Sequence, residues 1–193
     1  MEVSVTKTFT AAQLGQLIAS ETLSPDSARL RIKNFVAKGY IVTRQRSDSD
    51  GRGTLLFSIG DALTAAVLSR MVDLGGLSKA AMQAAATRLQ AWKTDSRNPA
   101  RAEVGPDLPH PPAESPALRL WEEYEAAPDF HVSLHLRWAE KRGAVNCGAY
   151  LSLGDGEYYG RAPDVEPMAD LLVPVTPLFP ELAARIDRMG KAH

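Results

Sequence analysis

Hydrophobic residues recur at helical spacing in two neighbouring segments near the start of the chain. Residues 10–20 begin with a Thr that can cap a helix, and Gln13 stands at the capping-box position. Residues 26–38 are followed by Gly39, a residue that favours the end of a helix. The apolar positions are Leu14, Leu17 and Ile18 in the first segment and Ala28, Ile32, Phe35 and Val36 in the second. The pattern predicts two consecutive helices joined by the turn ETLSP.

A β-hairpin and two more helices are expected to follow. The apolar runs YIVTRQ (residues 40–45) and TLLFSI (residues 54–59) flank the polar turn SDSDGRG, which is typical of a hairpin with a long cationic tip. A third helix is predicted from a cap at Asp61 to Leu74. After two glycines, a fourth runs from Ser78 to about Lys93. This order of elements predicts a winged helix-turn-helix domain.

Proline divides the chain. Residues 94–116 contain six prolines and no apolar periodicity, so neither a helix nor a central strand is expected to pass through them. The composition is typical of a semi-stiff, extended linker. We therefore predict a first domain over residues 1–93, a linker over residues 94–116 and a second domain over residues 117–193.

The second domain has the pattern of a small α+β unit. A helix is predicted over residues 115–127, with a Ser N-cap and a Pro in its first position. Residues 130–138 and 144–153 alternate between apolar and polar side chains, which predicts two antiparallel strands. A third strand over residues 171–176 contains a proline typical of a sheet edge, and a helix over residues 178–189 follows. The predicted fold class for the whole chain is α+β.

Basic residues are concentrated in the first half of the chain. Residues 1–60 carry eight Lys or Arg against five Asp or Glu, whereas residues 101–193 carry nine against fifteen. On the second helix, the side opposite the apolar residues is mostly cationic, and Arg, Lys and Asn are residue types that bond base edges and phosphates. Leu30 is expected on the same side, where it suits a thymine methyl group or a partner protein. The predicted DNA contacts are Ser24, Ser27, Arg29, Arg31, Lys33, Asn34, Lys38, Arg44, Arg46 and Arg52.

The first domain resembles the MerR-type regulators over about residues 9–90. The resemblance lies in the motifs LSPDSAR, KGYIVTR, GRGTLLF and LTAAVLSRMVDLGGLSKAAM, in that order, with the LSRMVDLGGLSKAA stretch as the most specific part. It implies a winged helix-turn-helix in which Arg29, Arg44 and Arg52 hold or contact the DNA backbone. Excisionase-like DNA binders of phages and plasmids share this winged domain, and the sequence does not separate the two groups.

The polar residues of the second domain do not form a catalytic pattern. His131 and His135 share a strand face but stand about 13 Å apart along it, too far to bind one metal ion. Cys147 is in phase with apolar neighbours and is expected to be a buried thiol. The carboxylates of Glu122, Glu123 and Glu125 favour a solvated helix face, and GDGEYYG favours a tight turn. We expect neither an enzyme nor a metal ion or cofactor.

Together, these features predict a sequence-specific transcriptional regulator that binds double-stranded DNA as a homodimer. The start of the chain lacks the pattern of a signal peptide, and no run is apolar enough to span a membrane, so a cytoplasmic location is expected. The second domain is expected to dimerise or to capture a small ligand or a protein. Two other functions stay open: a protein-interaction adaptor with a winged fold, and an excisionase-like architectural DNA binder.

Overall fold

The structure is a computed structural model of the chain. It describes residues 7–42, 45–47, 53–91, 115–127, 129, 131–141, 143–153, 158–159 and 167–190, with the backbone alone at residues 45–47, 141, 153 and 158–159. Within these ranges, six helices and two antiparallel sheets form a mixed α+β structure. None of the described helices has the length and hydrophobicity needed to cross a membrane.

The first two helices form as the sequence predicts. Strand β1 (Phe9–Thr10) leads into α1 (Ala11–Ile18), where the Thr10 hydroxyl accepts from the Gln13 N–H and the Gln13 side chain bonds back to the Thr10 N–H. Helix α2 (Pro25–Ala37) follows after a short turn, and the Ser24 hydroxyl caps it. Gly39 lies just beyond the end of α2 with φ of +68°, a conformation that glycine adopts without strain.

The predicted hairpin is present, but its first strand begins later than expected. Strand β2 (Gln45–Ser47) pairs antiparallel with β3 (Thr54–Phe57), and β1 completes a three-stranded sheet of order β1-β3-β2. The prediction of a strand over residues 40–45 was wrong at its start. The Gln90 side-chain amide donates to the Tyr40 carbonyl and accepts from the Val42 N–H, so this backbone is bonded to another part of the chain.

Two further helices complete the first half of the chain. Helix α3 (Ile59–Leu74) begins three residues earlier than predicted, because its cap is Ser58 and Asp61 bonds back to the Ser58 N–H in a capping box. Helix α4 (Lys79–Gln90) has the predicted cap, Ser78, and ends before Lys93. Most of α3 is buried, as expected of a central helix that other elements surround.

The second half contains a four-stranded sheet and two helices. Helix α5 (Pro116–Ala126), strands β4 (Val132–Lys141), β5 (Ala144–Leu153) and β6 (Tyr158–Tyr159), strand β7 (Ala169–Pro174) and helix α6 (Leu178–Gly190) follow in that order. The strand order is β6-β5-β4-β7, which confirms β7 as an edge strand of this sheet. The predicted helices at both ends of this half are confirmed to within one residue. Val145, an apolar residue in the alternation of β5, is exposed near the start of that strand.

The two halves share one hydrophobic core. Buried residues of α1, α3 and α4 belong to the same cluster as buried residues of α5, β4, β5 and α6. Helices α3 and α5 meet closely at Gly60, where an added Cβ would lie only 2.9 Å from the Ser115 hydroxyl. The Arg185 guanidinium of α6 donates to the Leu17 carbonyl of α1 at 2.6 Å. The described residues of the two predicted domains are therefore packed against each other, while most of the predicted linker lies outside the described residues.

Candidate nucleic-acid interface

Helix α2 is held against the core by one side only. Ala28, Ile32 and Phe35 are buried, and their spacing places them along a single face. Helix α1 crosses close to the backbone of α2 because Gly15 has no side chain at the contact. A Cβ at Gly15 would lie 3.0 Å from the backbone nitrogen of Arg29. The opposite face of α2 is left to solvent, and its orientation is fixed by these contacts.

The solvent-exposed face of α2 carries most of the predicted DNA contacts. Six of them are exposed: Ser24, Ser27, Arg29, Lys33, Asn34 and Lys38. Arg29 and Lys33 are four residues apart and therefore neighbours on the helix surface. Asp26 is the single carboxylate among the exposed residues of this helix. The face is thus cationic and rich in hydrogen-bond donors, which is the chemistry that phosphates and guanine edges accept.

The two serines also shape the start of this face. The Ser24 hydroxyl accepts from the Ser27 N–H at 3.3 Å and donates to the Ser27 hydroxyl at 3.0 Å. This capping interaction fixes where α2 begins and leaves the first turn open to solvent. Pro25 has no N–H and the Ser27 N–H is bonded to Ser24, so the two hydroxyls are the groups that this helix start offers to an anion.

Arg31 differs from the other predicted contacts, because it is bonded inside the protein. Its Nη1 atom lies 2.7 Å from the Ser69 hydroxyl, 3.1 Å from the Ser69 carbonyl and 2.8 Å from the Asp73 carboxylate. Its side chain is only 19% exposed. Arg31 therefore joins α2 to α3, and the structure does not bring it to the exposed face.

The predicted hairpin contacts are only partly described. Arg46 lies in β2, where its backbone pairs with Leu55, but its side chain is not described. Arg44 and Arg52 lie outside the described residues. Strands β2 and β3 nevertheless place the hairpin directly after α2 in the chain, and β3 leads into the central helix α3. That the cationic side chains of the hairpin lie beside α2 stays a prediction.

Leu30 lies among the exposed polar residues of α2 and is 60% exposed. Exposed leucines are common and singly need no explanation. Leu30 lies opposite the buried side of α2, near the middle of the exposed face, and is therefore an apolar contact point for a molecule that binds this helix.

A second polar cluster lies on the outer face of the large sheet and was missed by sequence reasoning. The Arg137 guanidinium bonds both the Tyr150 hydroxyl and the Asp170 carboxylate at 2.8 Å. His135 stacks on the Tyr150 ring at 4.6 Å, and its Nε2 atom lies 2.7 Å from the Ser152 hydroxyl. The alternation along β4 places His135 and Arg137 on one strand face. Their partners depend on strand register, which pairs His135 with Tyr150 and Arg137 with Asp170.

The sheet cluster resembles a catalytic triad only in part. The Nδ1 atom of His135 is 3.8 Å from the Asp170 carboxylate, which is longer than a hydrogen bond. Burial lowers the pKa of His135, Asp170 opposes this effect and Arg137 adds to it, so the neutral ring is favoured. Ser152 lies between Ser133 of β4 and Tyr158 of β6, inside a paired strand. The geometry favours a network that cross-links three strands.

The surroundings of the remaining candidate residues in this half do not favour a catalytic or metal-binding role. Burial raises the pKa of the Cys147 thiol, so the neutral form is favoured, and its neighbours on that sheet face are apolar. Glu123 pairs with Arg119 at 2.8 Å, while Glu122 and Glu125 are exposed. In the part of the chain that the structure describes, no three His, Cys, Asp or Glu side chains are grouped as a metal site requires. The turn GDGEYYG lies outside the described residues except for the backbone of β6.

Comparison with known proteins gives no further guide to the site. No family model matches this chain, and no curated protein is significantly similar to it. The function must therefore be argued from the chain's own residues.

Proposed function

We propose that this protein is a sequence-specific DNA-binding transcriptional regulator of the winged helix-turn-helix type. One observation carries the proposal: α2 is fixed on one side by α1 and the core, and presents a cationic, donor-rich face to solvent on the other. The order helix, turn, helix and hairpin supports it, since this is the order of a winged helix-turn-helix.

In this proposal, α2 enters the major groove. With 13 residues it is about 20 Å long, a length that suits one groove crossing. Lys33 and Asn34 lie on the exposed face and contact base edges, whereas Arg29 and Lys38 lie towards its sides and contact phosphates. Ser24 and Ser27 at the start of α2 bond a further phosphate. The hairpin, with Arg44, Arg46 and Arg52, contacts the backbone or the adjacent groove.

The second half is assigned a supporting role in the same proposal. A homodimer would double the DNA contacts and read two half-sites, and the edge strand β7 offers a surface for self-association. A cytoplasmic location agrees with a regulator of DNA and with a single cysteine in the chain. Sedimentation of the purified protein at two concentrations tests the dimer directly.

A salt titration tests the DNA-binding proposal. A labelled duplex of mixed sequence is titrated with protein by fluorescence anisotropy at salt concentrations from 50 to 200 mM. If three side chains neutralise phosphates, affinity is expected to fall about 40-fold over that range, because each released counterion adds to the slope. A flat salt dependence, or no binding at the lowest salt, would overturn the proposal.

Matched arginine variants assign that binding to α2. Arg29→Ala is expected to lower affinity by about tenfold at low salt and to reduce the salt slope by about one. Arg188→Ala removes an exposed arginine from α6 and is expected to leave both quantities unchanged. Equal losses in the two variants would mean that the binding reflects overall charge and not this helix.

Leu30 favours a second candidate function, a protein-interaction adaptor in which the exposed face of α2 binds a partner protein. In that case the wild type would show no salt-dependent binding of DNA. Leu30→Ser would abolish capture of the partner protein. An excisionase-like architectural role is distinguished from regulation by measuring whether the bound duplex is bent.

A further inference from the structure

A cavity lies where the end of α2, the end of α3 and the start of α4 meet. Its volume is about 450 Å³, within the range of sites that hold small molecules. Four buried side chains form its walls: Phe35, Tyr40, Met71 and Met82. Two aromatic rings and two flexible thioethers make an apolar surface that adapts to a planar or aliphatic ligand.

Two glycines between α3 and α4 form part of the cavity lining. Gly75 and Gly76 have φ of +71° and +69°, and an added Cβ at either position would meet no atom within 4 Å. The chain thus turns here without adding a side chain to the lining at either position. Positive φ at both residues also disfavours any residue with a side chain.

The rim of the cavity is positively charged. Lys38 and Lys79 line it, and both lysines are exposed, whereas the lining contains no Asp or Glu. Lys38 also lies over the Tyr40 ring, 6.0 Å from the ring centre to Nζ. The carboxylate of Asp73, close by in α3, is bonded to Arg31. An apolar hollow with two ammonium groups at its mouth complements a molecule with one apolar body and one anionic group.

We propose that this cavity binds a small amphiphilic anion, with a carboxylate or sulfonate at Lys38 and Lys79 and an apolar body between Phe35, Met71 and Met82. Apolar burial supplies most of the affinity, and the lysines select for the charge. The site lies apart from the polar cluster of the large sheet.

Fluorescence of anilinonaphthalene sulfonate tests the proposal, because this probe has a planar apolar body and one anionic group. Saturable binding with one site per chain is expected, and Val72→Trp is expected to weaken it at least about tenfold by filling the cavity, of which Val72 is a lining residue. The matched control is Val145→Trp, the same substitution at an exposed valine of β5, away from the cavity lining. Thermal melting of each variant shows that it is folded.

A second pair of measurements tests the role of the lysines. Lys38→Gln and Lys79→Gln are each expected to weaken the sulfonate probe about threefold. Neither should change binding of phenylnaphthylamine, which has the same rings without the anionic group. Equal binding of the sulfonate to Val72→Trp and Val145→Trp, or no effect of either lysine, would overturn the proposal.

A regulatory consequence rests on the proposed DNA-binding function. Phe35 lies in α2 and Lys38 is the residue that caps its C-terminal end, so an anion held by Lys38 would occupy an ammonium that is assigned to phosphate. We expect the probe to weaken DNA binding about threefold or more. The probe titration itself is performed without DNA, so failure of the cavity site and failure of the DNA-binding proposal give different results.

Discussion

Arg31 and Ser69 join α2 to α3 through two hydrogen bonds from one guanidinium nitrogen, to the Ser69 hydroxyl at 2.7 Å and to its carbonyl at 3.1 Å. Ser69 is buried, and Asp73 one turn later accepts a third bond from the same nitrogen. An arginine on the basic helix thus acts as a structural cross-link, while Arg29, two residues earlier, is exposed. The two arginines are expected to respond differently to the same substitution.

Arg31→Ala is expected to destabilise the protein by about 1 to 2 kcal/mol, because bonds from a charged donor to partly buried acceptors are lost. The melting temperature should fall by roughly 2 to 8 °C. At a temperature where the variant is folded, its DNA affinity should stay within about twofold of the wild type.

The comparison is with Arg29→Ala, which is expected to leave the melting temperature unchanged and to weaken DNA binding. If Arg31→Ala instead lowers DNA affinity tenfold without loss of stability, the guanidinium contacts DNA and the cross-link is not its main role.

Gly60→Ala is expected to destabilise the contact between α3 and α5. The new Cβ would lie 2.9 Å from the Ser115 hydroxyl and 3.0 Å from the Leu118 backbone nitrogen, so one helix must shift. Overpacking of this kind costs about 1 to 3 kcal/mol. Gly148→Ala is the control, since a Cβ there meets no atom within 4 Å. Chemical denaturation measures both, and equal stability of the two variants would contradict a tight contact at Gly60.

Residues 1–93 alone are expected to unfold at a much lower urea concentration than the full chain. Without the second half, buried parts of α3 and α4 would lose their contacts with α5 and β5 and would be exposed to water. Circular dichroism during urea titration measures the difference. An unfolding midpoint equal to that of the full chain would mean that the first half is an independent domain.

Acid is expected to destabilise the fold through His135. Its pKa is lowered in the folded state, chiefly by burial, so the folded protein binds fewer protons than the unfolded chain. The free energy of unfolding should therefore fall as pH drops below the ordinary value of 6.5, and this contribution should level off once the pH is below the lowered pKa.

Thermal melts at several pH values check the role of His135 against two variants. His135→Gln can still bond Ser152 but does not titrate, so its stability should change less than that of the wild type over the same range. His131→Gln alters an exposed histidine just before β4 and should behave like the wild type. If the melting temperature of His135→Gln depends on pH as strongly as that of the wild type, other groups cause the acid sensitivity.

The local elements of this fold could be predicted because their signals are contained in short stretches of sequence. Capping residues such as Thr10 and Ser24 mark helix starts through bonds to backbone only three residues away. Strand β5 was predicted with its observed bounds from the alternation of apolar and polar residues along it. Strand β1 has two residues and was missed because it is too short to show a period.

The long-range features could not be read from the sequence in the same way. Arg31 lies between the buried and exposed sides of α2, and its direction depends on Ser69 and Asp73, 38 and 42 residues away. The proline-rich segment indicated a boundary between two units, but proline content contains no information on whether the flanking units pack together. The partners of His135 likewise depended on strand register.

The bond between Arg185 and the Leu17 carbonyl spans 168 residues, and the two halves share one core. During synthesis, α1 therefore leaves the ribosome long before the helix that completes its surroundings has been made. Such long-range closure slows folding and leaves apolar surface exposed in the nascent chain. We therefore expect the nascent chain to be most prone to aggregation before α6 can pack against α1.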